Sequence, residues 1–226
     1  MAGYTLAGAR LRGRLVSFQV RHGTDTVPRL ATAHARKLHL YVLSPDLGDV
    51  AHVHPRRDAA GTWSVRLPRV PTGRARLVAE FTPQRAAGAV GRAVVLGGDV
   101  HAPGTSARRR LPPASSVARV DGYTVRLRGG LLAGSRTQAT VSVTDRNDRA
   151  APLRPYLDSW AHALLVQPGT LAVSHLHPVQ QWSRGAAAPD AVTFPVHPKR
   201  PGRYRLVVEF ATGSRVHQVG FTVPAY

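Results

Sequence analysis

The feature that most constrains this chain is an internal repeat. The segment Lys37 to Pro55, KLHLYVLSPDLGDVAHVHP, returns in altered form as Ser159 to Pro178, SWAHALLVQPGTLAVSHLHP. Few residues are identical between the two copies, but the spacing of three histidines is the same. The first copy carries His39, His52 and His54, and the second carries His162, His175 and His177. The pattern predicts two similar units that present these rings in the same way.

Each copy is typical of a β-hairpin. Runs rich in apolar and β-branched residues flank a turn that holds Pro45 and Gly48 in the first copy, and Pro168 and Gly169 in the second. Side chains alternate along a strand, so the histidines of each His-x-His lie on one face. Pairing the strands about the turn sets the earlier histidine opposite the last one. We therefore expect three imidazoles close enough to bind one ion at about 2.0–2.1 Å.

The repeat extends beyond the hairpins. Gly3-Tyr4-Thr5-Leu6 returns as Gly122-Tyr123-Thr124-Val125, and RARLVAEFT at 74–82 returns as RYRLVVEFA at 203–211. Short segments of alternating polarity between turns, without a useful helix-period stretch, predict an all-β chain. We expect two tandem immunoglobulin-like (cupredoxin-like) β-sandwich domains that arose by internal duplication.

A segment between the repeats has a different composition. Residues 104–116, GTSARRRLPPASS, are rich in proline, serine and arginine and show no apolar alternation. This composition predicts a linker between repeat 1 at 1–103 and repeat 2 at 117–226. Each repeat is long enough to bury its own core, which favours two domains over a solenoid.

Composition restricts the ligands that any metal site can use. The chain has no cysteine and a single methionine, so thiolate and thioether sites are not expected. Imidazole suits Cu(II), Zn(II) and Ni(II), and the usual affinity order favours copper. We therefore expect a divalent ion, Cu(II) in preference and Zn(II) as an alternative, bound by nitrogen and oxygen.

The net charge of +19 raises the question of an anionic partner. The arginines are scattered through strands and loops, and aromatic residues make up only 6% of the chain, too few for the stacking platforms of single-strand binders. We expect no specific nucleic-acid binding, although non-specific attraction to polyanions at low salt follows from the charge.

Both halves resemble the histidine-bearing, immunoglobulin-like domains of exported bacterial proteins. The likeness is to actinobacterial two-repeat proteins labelled heavy-metal-binding and, more distantly, to YtkA-like and copper-resistance carrier domains. In the first half it rests on Leu38-His39-Leu40, the run ending at Pro55, and Gly61-Thr62-Trp63-Ser64-Val65. In the second half it rests on Pro155-Tyr156-Leu157, Ala161-His162, His175-Leu176-His177-Pro178 and Gly202-Arg203-Tyr204-Arg205-Leu206. The resemblance implies an extracytoplasmic or secreted, metal-related protein without a known catalytic activity.

Targeting signals are not evident in the sequence. The N-terminal stretch has no apolar core of about seven to fifteen residues, so we do not expect a signal peptide there. No apolar run approaches the roughly twenty residues of a membrane-spanning helix, so no transmembrane segment is expected.

Three functions are compatible with these patterns. The first is metal binding or delivery by the two histidine sets, without turnover. The second is a non-catalytic adhesive or scaffolding module that binds a protein or polyanion, its protein partner unknown. The third, a metal-dependent hydrolase, ranks low because Asp46 and Asp49 in the first turn have no counterpart in the second.

Other polar residues receive weaker interpretations. Glu80 and Glu209 occupy equivalent places and either orient a ligating imidazole or pair with surface arginines. Five histidines lack a partner in the other repeat and are interpreted as ordinary surface or loop residues: His22, His34, His101, His197 and His217.

Overall fold

A computed structural model of the chain describes residues 3–27, 29–84, 91–106 and 109–226. The described residues form strands and turns and contain no helix, and hence none long and apolar enough to cross a bilayer. The chain divides into two compact units, Met1–Arg110 and Leu111–Tyr226. The division falls inside segment 104–116, of which residues 107 and 108 lie outside the described ranges. The predicted all-β architecture of two immunoglobulin-like sandwiches is confirmed.

The first unit contains two antiparallel sheets. Its strands, within the described residues, are β1 (Tyr4–Arg12), β2 (Leu15–His22), β3 (Asp25–Thr26), β4 (Leu30–Ala31), β5 (Leu38–Leu43), β6 (Val50–Val53), β7 (Arg56–Arg57), β8 (Thr62–Arg66), β9 (Arg74–Pro83) and β10 (Val94–His101). One sheet has the order β1-β2-β8-β7, with β3 beside β2. The other has the order β10-β9-β5-β6, with β4 beside β9. The first histidine hairpin is thus β5–β6, at the edge of the second sheet.

The second unit has the same plan. Its strands are β11 (Val117–Val120), β12 (Tyr123–Arg128), β13 (Thr137–Thr144), β14 (Leu153–Arg154), β15 (Ala161–Gln167), β16 (Ala172–Leu176), β17 (Ala191–Val196), β18 (Gly202–Thr212) and β19 (Arg215–Ala225). One sheet has the order β11-β12-β13-β17. The other has the order β14-β18-β15-β16, with β19 beside β18. The second histidine hairpin, β15–β16, again ends at a sheet edge.

Side-chain alternation along β5 places the first histidine outside the sandwich core. Leu38, Leu40 and Val42 enter the apolar core of the first unit. Successive side chains point to opposite faces of a strand, so His39 and Tyr41 lie on the other face of the sheet. In β15, Ala161, Ala163 and Leu165 enter the core of the second unit. His162 therefore takes the corresponding outer position.

One histidine outside the hairpins is buried, so its interpretation as a surface residue was wrong. His217 in β19 is 4% exposed. Its Nδ1 lies 2.7 Å from Oδ2 of Asp121, and because a carboxylate only accepts, Nδ1 donates the proton. Its Nε2 lies 2.8 Å from Oγ1 of Thr212. Arg215 also pairs with Asp121, Nη2 to Oδ1, at 3.1 Å. These contacts link the β11–β12 turn to the β18–β19 hairpin.

Replacing His217 by alanine is expected to destabilise the second unit by about 1–3 kcal/mol, because the buried Thr212 hydroxyl loses its partner. Urea denaturation followed by circular dichroism measures the change. Substituting both partners, His217→Leu with Thr212→Val, should restore part of the loss because no buried polar group remains unmatched. The exposed neighbour Val216→Ala serves as the control, and a loss in His217→Ala no larger than in this control would contradict the expectation.

Candidate metal centre

The register of each hairpin brings the predicted histidines together. In β5–β6, Leu40 pairs with Val53 and Tyr41 with His52. The next position along this register sets His39 beside His54. In β15–β16, Ala163 pairs with Leu176, and the next position sets His162 beside His177. The predicted hairpins and their pairing about the turn are therefore present in both units.

The first group, which we call the first triad, consists of His39, His52 and His54. His39 Nδ1 lies 3.0 Å from His52 Nε2. His54 Nε2 lies 3.2 Å from the same His52 nitrogen. One nitrogen from each of the three rings lies within 4.8 Å of the other two. His39 is only 3% exposed and His52 is buried beside it, so the nitrogens converge in a partly desolvated place.

The second triad consists of His162, His175 and His177 and repeats this geometry. His162 Nδ1 lies 3.2 Å from His175 Nε2. The centroid of the His177 ring lies 4.7 Å from that of His162 and 4.4 Å from that of His175. The donor atoms again lie within 4.8 Å of one another, and His162 is 1% exposed. Two copies that share few other residues therefore form the same three-histidine arrangement.

A backbone carbonyl determines the tautomer of the first histidine in each triad. His39 Nε2 lies 3.1 Å from the carbonyl oxygen of Ala33. His162 Nε2 lies 2.9 Å from the carbonyl oxygen of Tyr156. A carbonyl accepts only, so Nε2 carries the hydrogen and Nδ1 of the neutral ring presents its lone pair to the other histidines. Proteins commonly orient metal-ligating histidines in this way.

The orienting carbonyls belong to equivalent tight turns. Residues 33 and 36 exchange backbone hydrogen bonds, as do residues 156 and 159. The two central residues of each turn have positive φ: His34 at 51° and Ala35 at 58°, Leu157 at 52° and Asp158 at 57°. Such values match a type I′ turn, which ordinarily favours Asn-Gly. Left-handed backbone at non-glycine residues is costly and is maintained at functional sites when the surroundings require it.

The backbone of the turn at residues 33–36 should influence the metal affinity of the first triad. Ala35→Val should weaken metal binding at the first triad by about 10–100-fold, the usual effect of losing an orienting partner, because a β-branched side chain opposes φ near 58°. Ala35→Gly tolerates the same backbone and should keep the affinity. Titration with Cu(II) compares the two variants. Equal affinities would show that the turn does not support His39.

A cation could lie between the three converging nitrogens. His52 Nε2 has contacts with both His39 Nδ1 and His54 Nε2 but can carry only one hydrogen. The neutral ring of His52 can therefore satisfy only one of its two neighbours through that atom. Additional protons would place positive rings side by side at about 3 Å, which Coulomb repulsion opposes. A metal ion would accept lone pairs from all three rings, so that His52 needs no hydrogen at Nε2 and no two rings need to be protonated side by side.

The spacing of the nitrogens suits a small coordination sphere. With metal–nitrogen bonds of about 2.0–2.1 Å, separations of 3.0 and 3.2 Å correspond to angles of about 95–105° at the ion. These values lie between square and tetrahedral geometry. Three histidines on one side leave at least one coordination position for water or another ligand.

Two glutamates at equivalent positions of the repeats lie directly across from the first histidine of each triad. Glu80 in β9 pairs with His39, and Glu209 in β18 pairs with His162. The Tyr41 hydroxyl donates to Glu80 at 3.1 Å, and its ring lies 4.8 Å from that of His52. Gln218 donates to Glu209 at 2.9 Å. Each carboxylate thus accepts a hydrogen bond on the strand next to its triad.

The two aspartates of the first hairpin turn take part in local contacts. Asp46 accepts hydrogen bonds from the Ser44 hydroxyl at 2.6 Å and from the Gly48 amide at 3.1 Å. Partial burial raises the pKa of Asp46, but these hydrogen bonds outweigh it and hold that pKa below the ordinary value. These hydrogen bonds stabilise the fold fully at pH values above the pKa of Asp46 in the unfolded chain. The stabilisation is lost as the pH falls through the pKa of Asp46 in the folded protein. Asp49 pairs with Arg69 at 3.4 Å.

The triads differ in several neighbours, and His34 is one of them. The ring of His34 lies 6.1 Å from that of His39, edge to face. The corresponding turn position in the second unit is Leu157, which is buried. His34 was interpreted as an ordinary surface residue, and sequence spacing gave no signal for its proximity to the triad, because the turn that carries it lacks glycine and asparagine.

Comparison with known proteins adds one family and several distant structures. Residues 118–226 match the model of a family described as "Domain of unknown function (DUF8832)". This range contains the second triad. A search of curated proteins gives no match.

Three solved structures illustrate the distant likenesses. A biofilm associated protein, BSP domain, is 13% identical, with a TM-score of 0.26, over 98% of this chain and 29% of that one. A pullulanase from Anoxybacillus sp. LM18-11 is 10% identical, with a TM-score of 0.24, over 95% and 25%. The FN1-FN3 domains of chicken CNTN1 are 10% identical, with a TM-score of 0.24, over 100% and 64%. The chain spans less than a third of the length of the first two.

Proposed function

We propose that this protein binds divalent metal ions at its two histidine triads. The first is His39, His52 and His54, and the second is His162, His175 and His177. The observation that carries the proposal is the convergence of three ring nitrogens in each unit, with distances of 3.0 and 3.2 Å in the first and 3.2 Å in the second. The fixed tautomer of His39 and His162 adds support, because it directs the lone pair of Nδ1 toward the other rings.

Cu(II) is the preferred ion and Zn(II) the alternative. The ligands are neutral imidazoles, which suit both metals, and the usual stability order places copper above zinc for one ligand set. The angles of about 95–105° derived from the nitrogen spacing suit a tetragonal or a tetrahedral site. A titration in which Cu(II) and Zn(II) compete for the triads therefore identifies the ion that binds more tightly.

We assign the protein to binding or delivery of the ion rather than to catalysis. Hydrolysis at a zinc-like centre needs a base positioned beside the open coordination site. The hairpin carboxylates, Asp46 and Asp49, are held by the Ser44 hydroxyl and by Arg69 instead. The glutamates beside the triads also accept hydrogen bonds, Glu80 from Tyr41 and Glu209 from Gln218. We further propose that the protein works outside the cytoplasm, in keeping with the resemblance to exported histidine-bearing domains.

Isothermal titration with Cu(II) and with Zn(II) at about pH 7.5, where imidazole is mostly neutral, tests the proposal. We expect saturable uptake, tighter for Cu(II), that decreases when His52 and His54 are both replaced by alanine. The matched control replaces His22 and His101, exposed histidines outside the triads, and should leave uptake unchanged. Uptake that is absent, or that decreases equally in both variants, would contradict the proposal and favour a scaffolding role.

A further inference from the structure

The register of the first unit gathers arginines that are scattered in sequence. On the sheet β1-β2-β8-β7, Arg10 pairs with Ser17, Ser17 with Ser64, and Ser64 with Arg56. In antiparallel strands, directly paired residues project from the same face. These four residues therefore form one row across four strands, with an arginine at each end and hydroxyls between them.

A second row lies beside the first. Arg12 pairs with Leu15, and Leu15 pairs with Arg66. Each arginine in this row is two residues along its strand from a member of the first row, so it projects from the same face. Val16 and Phe18 between the paired positions enter the core, which identifies this face as the outward one.

We name this surface the arginine face, defined by Arg10, Arg12, Arg56 and Arg66. All four side chains are exposed. Within the described part of the chain, none of the four forms an ion pair. Asp25 pairs with His22 at the opposite end of β2, away from both rows. The four charges are thus available to a ligand rather than neutralised within the unit.

The shape of the surface indicates what it can hold. Adjacent strands are about 4.8 Å apart, so the arginines of the first row are separated by roughly 14 Å and those of the second by roughly 10 Å. In the first row a strip of two short side chains, Ser17 and Ser64, lies between the arginines, and in the second row the exposed Leu15 lies between them. The two rows contain no aromatic ring on which a base could stack.

We infer that the arginine face binds a linear acidic polysaccharide that carries carboxylate or sulfate groups. Guanidinium groups bind such anions through paired hydrogen bonds. The serine hydroxyls donate to and accept from sugar hydroxyls along the strip between the arginines. This binding is independent of the first triad, which lies on the other sheet of the same unit, on β5 and β6.

The test uses heparin as the acidic probe and neutral dextran as its control. The variant replaces the four arginines of the arginine face by serine. The matched control replaces four exposed arginines of the second unit by serine: Arg128, Arg136, Arg184 and Arg203. Both variants lose the same net charge, and at about 0.15 M salt screening over roughly 8 Å suppresses attraction from distant charges.

We expect heparin affinity to fall about tenfold or more in the arginine-face variant and by less than about twofold in the control. Cu(II) uptake should stay unchanged in both, and thermal melts verify that each is folded. Equal losses in both variants would show attraction to net charge alone and overturn the inference. Binding of single-stranded or duplex DNA through the same four arginines, tighter than heparin, would assign the face to nucleic acid and also overturn it.

Discussion

Replacing His39 by alanine will weaken Cu(II) binding at the first triad by more than about 100-fold. The loss should exceed the roughly 10–100-fold that follows removal of a supporting group, because His39 itself supplies a ring nitrogen. His39 is also the ring whose Nδ1 lone pair is directed by the Ala33 carbonyl, so no other side chain of the triad can take its place. Titration with Cu(II) of variants that also lack His175 and His177 measures the affinity of the first triad alone.

The control for this prediction is His101→Ala in the same background. His101 is exposed at the end of β10 and does not belong to either triad. A thermal melt of each metal-free variant separates loss of a ligand from loss of structure. An affinity for Cu(II) within about threefold of the parent after His39→Ala would show that the ion is bound elsewhere.

Replacing Phe194 by alanine will destabilise the second unit by about 3–5 kcal/mol. Its side chain in β17 is completely buried and packs in the core with Val141 and Leu206. Removing the ring takes away its transfer free energy and leaves a cavity that neighbouring residues fill only in part. Since native domains are stable by only about 5–15 kcal/mol, a loss of this size should also reduce metal binding at the second triad under mild denaturing conditions.

Chemical denaturation of the Phe194→Ala protein gives the free-energy change. Its exposed neighbour Pro195, replaced by alanine, provides the control within the same strand. A loss below about 1 kcal/mol in the phenylalanine variant would mean that the core repacks around the missing ring, and that the two sheets depend on it less than its burial implies.

The triads could be predicted from sequence because their determinants are local. Hairpin register follows from the turn, and side-chain alternation has a period of two, so histidine spacing alone places three rings on one patch. The same locality explains why β5 was recognised as a strand. The position of His39 on the face opposite Leu38 and Leu40 follows from that alternation as well.

The features that sequence did not predict depend on contacts or backbone geometry without a local signal. The turn at Ala33 contains no glycine, yet both of its central residues are left-handed. His217 is held by Asp121, 96 residues away along the chain, so its burial could not be inferred from the residues next to it in the sequence. The arginine face likewise forms only when strand pairing brings β1 beside β2 and β8 beside β7.

The central claim is that imidazole nitrogens of the two triads coordinate a divalent ion. X-ray absorption at the copper edge of the Cu(II)-loaded protein tests it most directly, since it reports the identity and distance of the ligands. We predict nitrogen neighbours at about 2.0 Å with the outer-shell scattering of imidazole, about three rings per ion. A spectrum with oxygen ligands and no imidazole, or the same spectrum after all six histidines are replaced, would contradict the account.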